Sequence, residues 1–262
     1  MATIRKNTKD NKEINHDDKI DQVNVYFMRH GFSCANAASR YSTHFGSALT
    51  TLLKRDPPLT EWGAAMNKSD PGLAELINKI EPDIVICSPL LRAIETAYWS
   101  TRNTKYKGKI YVVPFIGEMP NKLPTNNPRT ISNQKEKLKK LSVKLSKIDF
   151  SYVKPGNKET NGYFMPSYKK FIEWLQSQLF TFEHTGRVLK VIAVSHGTFL
   201  RRSLEYCKYA ECRIKNNSVI LQIFKTKSHS KLLHPPVFGS VSFDGIRYEG
   251  NPKDIGIERC KL

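Results

Sequence analysis

A chain of 262 residues, 39% hydrophobic and 10% aromatic, can bury a sizeable core and needs no more than one domain. No apolar stretch approaches the ~20 residues that span a bilayer, and the N-terminus lacks the apolar run of a secretory signal. A cytoplasmic protein without a membrane span is therefore expected. The formal net charge of +18 predicts attraction to anions: phosphorylated metabolites, nucleic acid, an acidic protein or an acidic membrane surface.

Residues 1–21 mix Lys, Asn, Asp and Glu with almost no large apolar side chain, so they read as a disordered basic and polar arm ahead of one domain, 22–262. Val23 to Met28 reads as a buried first strand. Ser33 is a good N-cap for a helix to about Tyr41. A loop with Asp56-Pro57-Pro58 follows. Thr60 then caps a second helix, which Pro71-Gly72 interrupts and which resumes to about Ile80. Asp83 to Cys87 is a second strand, and Ser88-Pro89 opens a helix from Leu90 to about Ser100. Ile110 to Val113 is a third strand. An insertion, about 119–166, comes next; Leu138, Leu141 and Leu145 give its stretch Ser132 to Ile148 a helical spacing. Tyr168 to about Phe182 reads as an amphipathic helix, Val188 to Val194 as a strand, and Thr198 as the start of the helix after it. Ser218 to Phe224 and Ser240 to Phe243 read as late strands. Strands alternating with helices predict an α/β fold, a three-layer α/β/α sandwich with a mostly parallel sheet. There is no internal repeat and no inter-domain linker.

The basic charge is uneven: residues 102–158 hold fourteen Lys and Arg against three acids. Such a stretch is ordinarily a solvated face. No zinc finger, helix-turn-helix or RNP-like aromatic motif accompanies it. The five cysteines, Cys34, Cys87, Cys207, Cys212 and Cys260, are scattered and form no CxxC pair. They read as thiols in a reducing compartment rather than as zinc ligands.

Two strands each end on a His-Gly pair. Arg29-His30-Gly31 closes the first, and Ser195-His196-Gly197 closes the strand Val188 to Val194. Open α/β sheets bind ligands outside the carboxyl ends of their strands, so the two histidines are expected to meet there. Arg29 beside His30 adds a fixed cation and suggests a phosphate site. A neutral imidazole is a competent nucleophile. Ser33 and Asn36 are short polar groups at a helix N-terminus, where backbone amides favour an anion. Arg92, just past the second strand, brings another guanidinium to the same sheet edge. Glu118 follows the third strand. A carboxyl placed near a transferred phosphate suits a general acid. Glu159, Glu95 and Asp56 are rival carboxylates, less well placed by the strand-end argument. No cluster has metal-ligand spacing, so neither metal nor cofactor is expected.

These blocks stand in a familiar order. "MRHGFSCAN" resembles the RHG signature of the histidine phosphatase superfamily, the phosphoglycerate mutase-like proteins, in its first branch. "DPPLTEWG" and "CSPLLRAIETA" resemble that family's D-x-P-L-T-x-x-G and S-P-x-x-R-A blocks, and "VSHGTFLR" its second-histidine block. The resemblance covers Val23 to Leu204. It implies a phosphoglycerate mutase-like fold, with His30 as phosphorylated nucleophile and Arg29, Arg92 and His196 around the phosphoryl group. It also implies Glu118 as proton donor and Ser33 and Asn36 as substrate contacts. The implied enzyme is a metal-independent phosphatase that hydrolyses a small phosphorylated substrate through a phosphohistidine.

Two departures separate the chain from cofactor-dependent mutases of that family. "FIGEMPNKLP" has no Arg or His after Glu118, and Phe32 stands where many relatives have Glu. They favour a phosphatase over a phosphomutase. A non-catalytic binding module on the same fold is the third reading. The lysine-rich insertion lies where the family varies its cap, and suggests a polyanionic substrate.

Overall fold

The computed structural model describes residues 22–46, 54–119, 123–153, 166–179, 188–203, 214–227, 231–232, 237–245 and 252–261. The expected arm, 1–21, lies outside them, as do Glu159, Cys207 and Cys212.

Among the described residues, eight strands form one mixed sheet: β1 (Gln22–Arg29), β2 (Ile84–Cys87), β3 (Ile110–Val112), β4 (Ile148–Asp149), β5 (Leu189–Ser195), β6 (Val219–Lys227), β7 (Lys231–Leu232) and β8 (Val237–Phe243). Their order is β4-β3-β2-β5-β1-β6-β7, and β8 also pairs with β6. β1 to β5 run parallel; β6, β7 and β8 are antiparallel. The helices are α1 (Cys34–Arg40), α2 (Ser42–Phe45), α3 (Glu61–Ser69), α4 (Pro71–Ile80), α5 (Leu91–Arg102), α6 (Ile131–Lys140), α7 (Tyr168–Leu179) and α8 (Gly197–Ser203).

The period of two along each strand divides the core between the two sheet faces. Val25, Phe27, Ile86 and Ala193 face one way and pack with Phe171 and Leu175 of α7 and Phe199 of α8. Met28, Val85, Cys87 and Val194 face the other way, against Leu73 and Ile77 of α4, Leu91 to Trp99 of α5, and Leu138 of α6. Helices on both faces make the three layers expected. The interruption at Pro71 is also as expected. Asp70 caps α4 by accepting from Leu73 N at 2.7 Å, with Pro71 at the first helical position.

The insertion departs from the reading of the sequence. Its helix ends at Lys140, eight residues before Ile148. Ser142 then takes a left-handed φ of 60°. Leu138 and Leu141 are buried in the core as their spacing suggested. Leu145, however, belongs to a 3-10 turn that leads into β4. A two-residue edge strand is too short to show a period of its own. The strap that closes the chain, 252–261, also differs: Cys260 is bonded to Cys34 across 226 residues of sequence. The expectation of free thiols is therefore wrong for these two, and holds for buried Cys87. No helix among the described residues is long and apolar enough to cross a membrane.

Candidate active site

Parallel register brings the two histidines together. Arg29 of β1 pairs with Ser195 of β5, so the next residue of each strand, His30 and His196, emerges at the same height. His30 N donates to Ser195 O at 2.9 Å, and the two rings lie 5.0 Å apart. Both glycines leave room for a neighbouring side chain. A Cβ on Gly31 would stand 2.1 Å from Asn67 Nδ2, and one on Gly197 3.2 Å from Arg29 Nε. The His-Gly pairs thus serve packing as well as chemistry.

The cavity at this sheet edge holds about 250 Å³. Arg29, His30, Ser33, Asn36, Arg92 and Glu118 all line it. His196 is fully buried beneath them, its ring against that of His30. All seven residues expected at the site are gathered there.

His30 Nδ1 lies 2.7 Å from Gly31 O. A carbonyl only accepts, so Nδ1 carries the proton and Nε2 keeps its lone pair. Nε2 accepts from Arg92 Nε at 3.3 Å. Burial, and then Arg92 and Arg29, holds the His30 pKa well below the usual histidine range. The imidazole is therefore neutral. His196 is likewise held low, by burial and then by Arg92 and His30. Its Nε2 stands 2.8 Å from Ser88 Oγ, and its Nδ1 has no partner among the described residues.

Glu118 follows the 3-10 turn Pro114–Ile116, which is tied to β5 by Ser195 Oγ donating to Ile116 O at 2.7 Å. Glu118 Oε1 accepts from Met119 N at 2.9 Å, Thr198 N at 3.2 Å and Phe199 N at 3.3 Å. All three of these bonds fall on Oε1 and none on Oε2. Ser33 and Asn36 also cap α1 reciprocally: Asn36 N donates to Ser33 Oγ at 3.3 Å and Ser33 N to Asn36 Oδ1 at 3.1 Å.

Several residues of the site were not foreseen. Arg92 donates to Thr125 O at 2.7 Å and Asn126 Oδ1 at 3.1 Å, so the start of the insertion roofs the cavity. Leu123 and Met119 line it as well. Asn216 Nδ2 reaches His30 O at 2.8 Å and Asn36 Oδ1 at 3.2 Å, bracing the turn after β1. Nothing local marks Asn126 or Asn216, because both act across long sequence distances. Ser88 was legible as the first residue of its Ser-Pro block.

The rival carboxylates have other work. Glu95 pairs with Arg259 of the strap and accepts from Leu59 N at 2.8 Å. Asp56 accepts from Leu91 N, Arg129 N and Gln134 Nε2. No lysine lines this cavity among the described residues. No three His, Cys, Asp or Glu side chains gather as metal ligands do among the described residues.

The fold has solved counterparts. The ecdysone phosphate phosphatase from Bombix mori, in complex with tungstate, superposes with a TM-score of 0.51 at 18% identity, over 87% of this chain and 97% of that one. Mycobacterial hydrolase 2 gives a TM-score of 0.51 at 13% identity, over 88% and 94%. Phosphoglycerate mutase from Bacillus anthracis str. Sterne gives 0.49 at 17% identity, over 86% and 95%. No curated protein matches the sequence. The family model described as histidine phosphatase superfamily (branch 1) matches residues 25–214. With His30, both arginines and the glutamate lining one cavity and His196 packed on His30, this chain belongs to the histidine phosphatase superfamily, branch 1.

Proposed function

We propose that the protein is a metal-independent phosphatase, a histidine acid-base enzyme that hydrolyses phosphomonoesters through a phosphohistidine on His30. One observation carries the reading: the His30 Nδ1–H donates to Gly31 O, which leaves a neutral Nε2 lone pair beside the Arg92 guanidinium.

In the first step His30 Nε2 attacks phosphorus in line, the bond to the ester oxygen breaks, and Glu118 gives that oxygen its proton. Arg29, Arg92 and His196 hold the phosphoryl oxygens, where fixed positive charge stabilises the negative charge of the transition state. In the second step a water gives its proton to Glu118 and attacks the phosphohistidine. Inorganic phosphate leaves and His30 is restored. A small substrate fits this cavity of about 250 Å³, which Thr125 borders through its carbonyl on Arg92. Phe32 supports hydrolysis over phosphate return: it packs with Ala37 and Ile255 and lines no part of the cavity.

A rapid-quench experiment with radiolabelled phosphomonoester in EDTA tests this. A label on the protein that is lost in acid and kept in alkali is expected, absent from His30→Ala, with phosphate released in step. Turnover of His30→Ala within about tenfold of wild type would sink the nucleophile assignment, since a covalent route cannot spare its nucleophile. Loss of activity in EDTA, restored by Mg²⁺ or Zn²⁺, would sink the metal-independent mechanism. Return of the label to an isomer of the substrate would make the enzyme a phosphomutase.

A further inference from the structure

Helix α5 joins two cavities. Its first turn places Arg92 in the catalytic cavity. Its last turn lines a second cavity, also of about 250 Å³, at the opposite end of the sheet, where β3 and β4 begin. At about 1.5 Å per residue, roughly 15 Å of helix separate Arg92 from Arg102.

The second cavity has an aromatic floor and a cationic rim. Tyr98 and Tyr106 line it beside Ile110. Tyr98 is fixed edge-on to Trp99 at 4.8 Å. The Tyr106 hydroxyl donates to Lys109 O at 2.6 Å and accepts from Val85 N at 3.3 Å, so the ring cannot swing away. Arg102, Lys107, Lys144 and Lys147 form the rim. Arg102 lies over the Trp99 ring at 5.3 Å. Lys107 donates to Thr104 O at 3.0 Å and Lys147 to Lys107 O at 2.8 Å. Each of these two ammoniums thus spends a donor on a backbone carbonyl, which holds it at the rim. Among the described residues none of the four cations has a carboxylate partner. The ion pair at this end of the sheet, Lys109 with Asp149 at 3.4 Å, uses none of them.

The end of α5 contributes about −0.5 charge from its helix dipole, too little to balance four cations. Like charges held around one concavity repel, and a bound anion relieves that repulsion. We propose that this cavity is a second anion site, separate from the catalytic one, that takes a compact polyanion carrying two or more phosphate groups. Three ammoniums and a guanidinium supply more donors than one carboxylate can accept, and the oxygens of linked phosphates match them. The concave shape selects a small ligand. An extended nucleic acid would be read instead by a long basic stripe.

The test is calorimetric titration of the whole protein with inorganic tripolyphosphate at fixed ionic strength. Two charge-matched variants are compared: Lys144→Glu with Lys147→Glu in the cavity, and Lys139→Glu with Lys140→Glu on the exposed face of α6. The cavity pair is expected to weaken binding at least tenfold and the α6 pair less than threefold. Equal losses in both pairs would show a diffuse charge effect and overturn the site. Unchanged binding in the cavity pair would place tripolyphosphate outside this cavity and overturn it too. Should the cavity pair fold poorly by circular dichroism, Arg102→Gln with Lys107→Gln, set against Lys139→Gln with Lys140→Gln, carries the same charge-matched comparison. A single-stranded oligonucleotide that displaces tripolyphosphate, and that both pairs weaken alike, would make the surface a nucleic-acid face instead.

Discussion

Arg92 Nε stands 3.3 Å from His30 Nε2, while the same guanidinium donates to Thr125 O and Asn126 Oδ1 in the roof. One side chain therefore registers His30 against the insertion. Arg92 is buried, and its planar fork fixes both directions at once, as a lysine could not. Anything that moves the start of α5 relative to the insertion moves the site.

Asp56 controls that relation. It is buried, and it accepts from Leu91 N at 2.8 Å, from Arg129 N at 3.2 Å and from Gln134 Nε2 at 3.0 Å. The first donor begins α5; the other two belong to the insertion. Asp56→Ala takes this acceptor from Leu91 N and Arg129 N, while Gln134 Nε2 keeps Pro89 O; each buried unsatisfied donor costs about 1–3 kcal/mol, so a loss of about 3 kcal/mol is expected. KM should also rise, because Arg92 loses its register. Urea unfolding and steady-state kinetics on the same variant check this. A stable variant with unchanged KM would show that the roof is held elsewhere.

Glu118→Gln tests the proposed proton donor. Its Oε1 can still accept the amides of Met119, Thr198 and Phe199, so the fold at α8 is preserved. What is lost is the proton on the second oxygen. An alkyl alcohol leaves poorly and needs that proton; p-nitrophenolate does not. Single-turnover phosphorylation should fall about 10²- to 10⁴-fold for an alkyl phosphate and much less for p-nitrophenyl phosphate. Equal losses would remove Glu118 from the acid role.

The sequence made much of this site legible, for a physical reason. Parallel strands deliver whatever follows them to one edge, so strand ends at Arg29, Cys87, Val112 and Ser195 suffice to gather the residues of the site. Features fixed by distant partners were not legible. Asn126 and Asn216 act on groups 34 and 186 residues away. β4 is two residues long and visible only beside β3. Cys34 and Cys260 look like unrelated thiols until the strap brings them together.

That strap holds the outer side of α1. Cys260 is bonded to Cys34, Arg259 pairs with buried Glu95, Glu61 N donates to Gly256 O at 3.2 Å, and Ile255 packs on Phe32 and Ala37. Closing so long a loop limits the unfolded chain, and native disulfides typically contribute about 2–5 kcal/mol. Cys34→Ser with Cys260→Ser should lower stability by that order. A reductant should destabilise wild type and leave the double variant unaffected. A thermal midpoint indifferent to reductant, with the thiols shown free by mass, would refute the strap's contribution. A disulfide persists in oxidising surroundings, so the cysteines no longer support a cytoplasmic setting.

The buried histidines set a pH dependence whose sign can be worked out. Burial holds His30 and His196 well below the usual histidine pKa in the folded state, whereas the unfolded chain returns them to about 6.5. As pH falls below about 6.5 the unfolded state takes up protons that the folded state refuses. Stability supplied by these groups is thus present above that pH and lost on acidification, at up to about 1.4 kcal/mol per pH unit for each histidine. Asp56 and Glu95 act in the opposite sense. Burial raises both, so the folded state keeps their protons to higher pH than the unfolded chain does. The total curve mixes these signs, and a difference between proteins separates them. His196→Asn removes one histidine and leaves both carboxyls. The unfolding free energy of wild type minus that of His196→Asn should therefore increase from pH 5 to pH 7, measured without phosphate, since a bound anion would draw a proton onto the ring. A difference that stays flat across that range would mean that His196 titrates alike in both states, and that its burial does not keep it neutral.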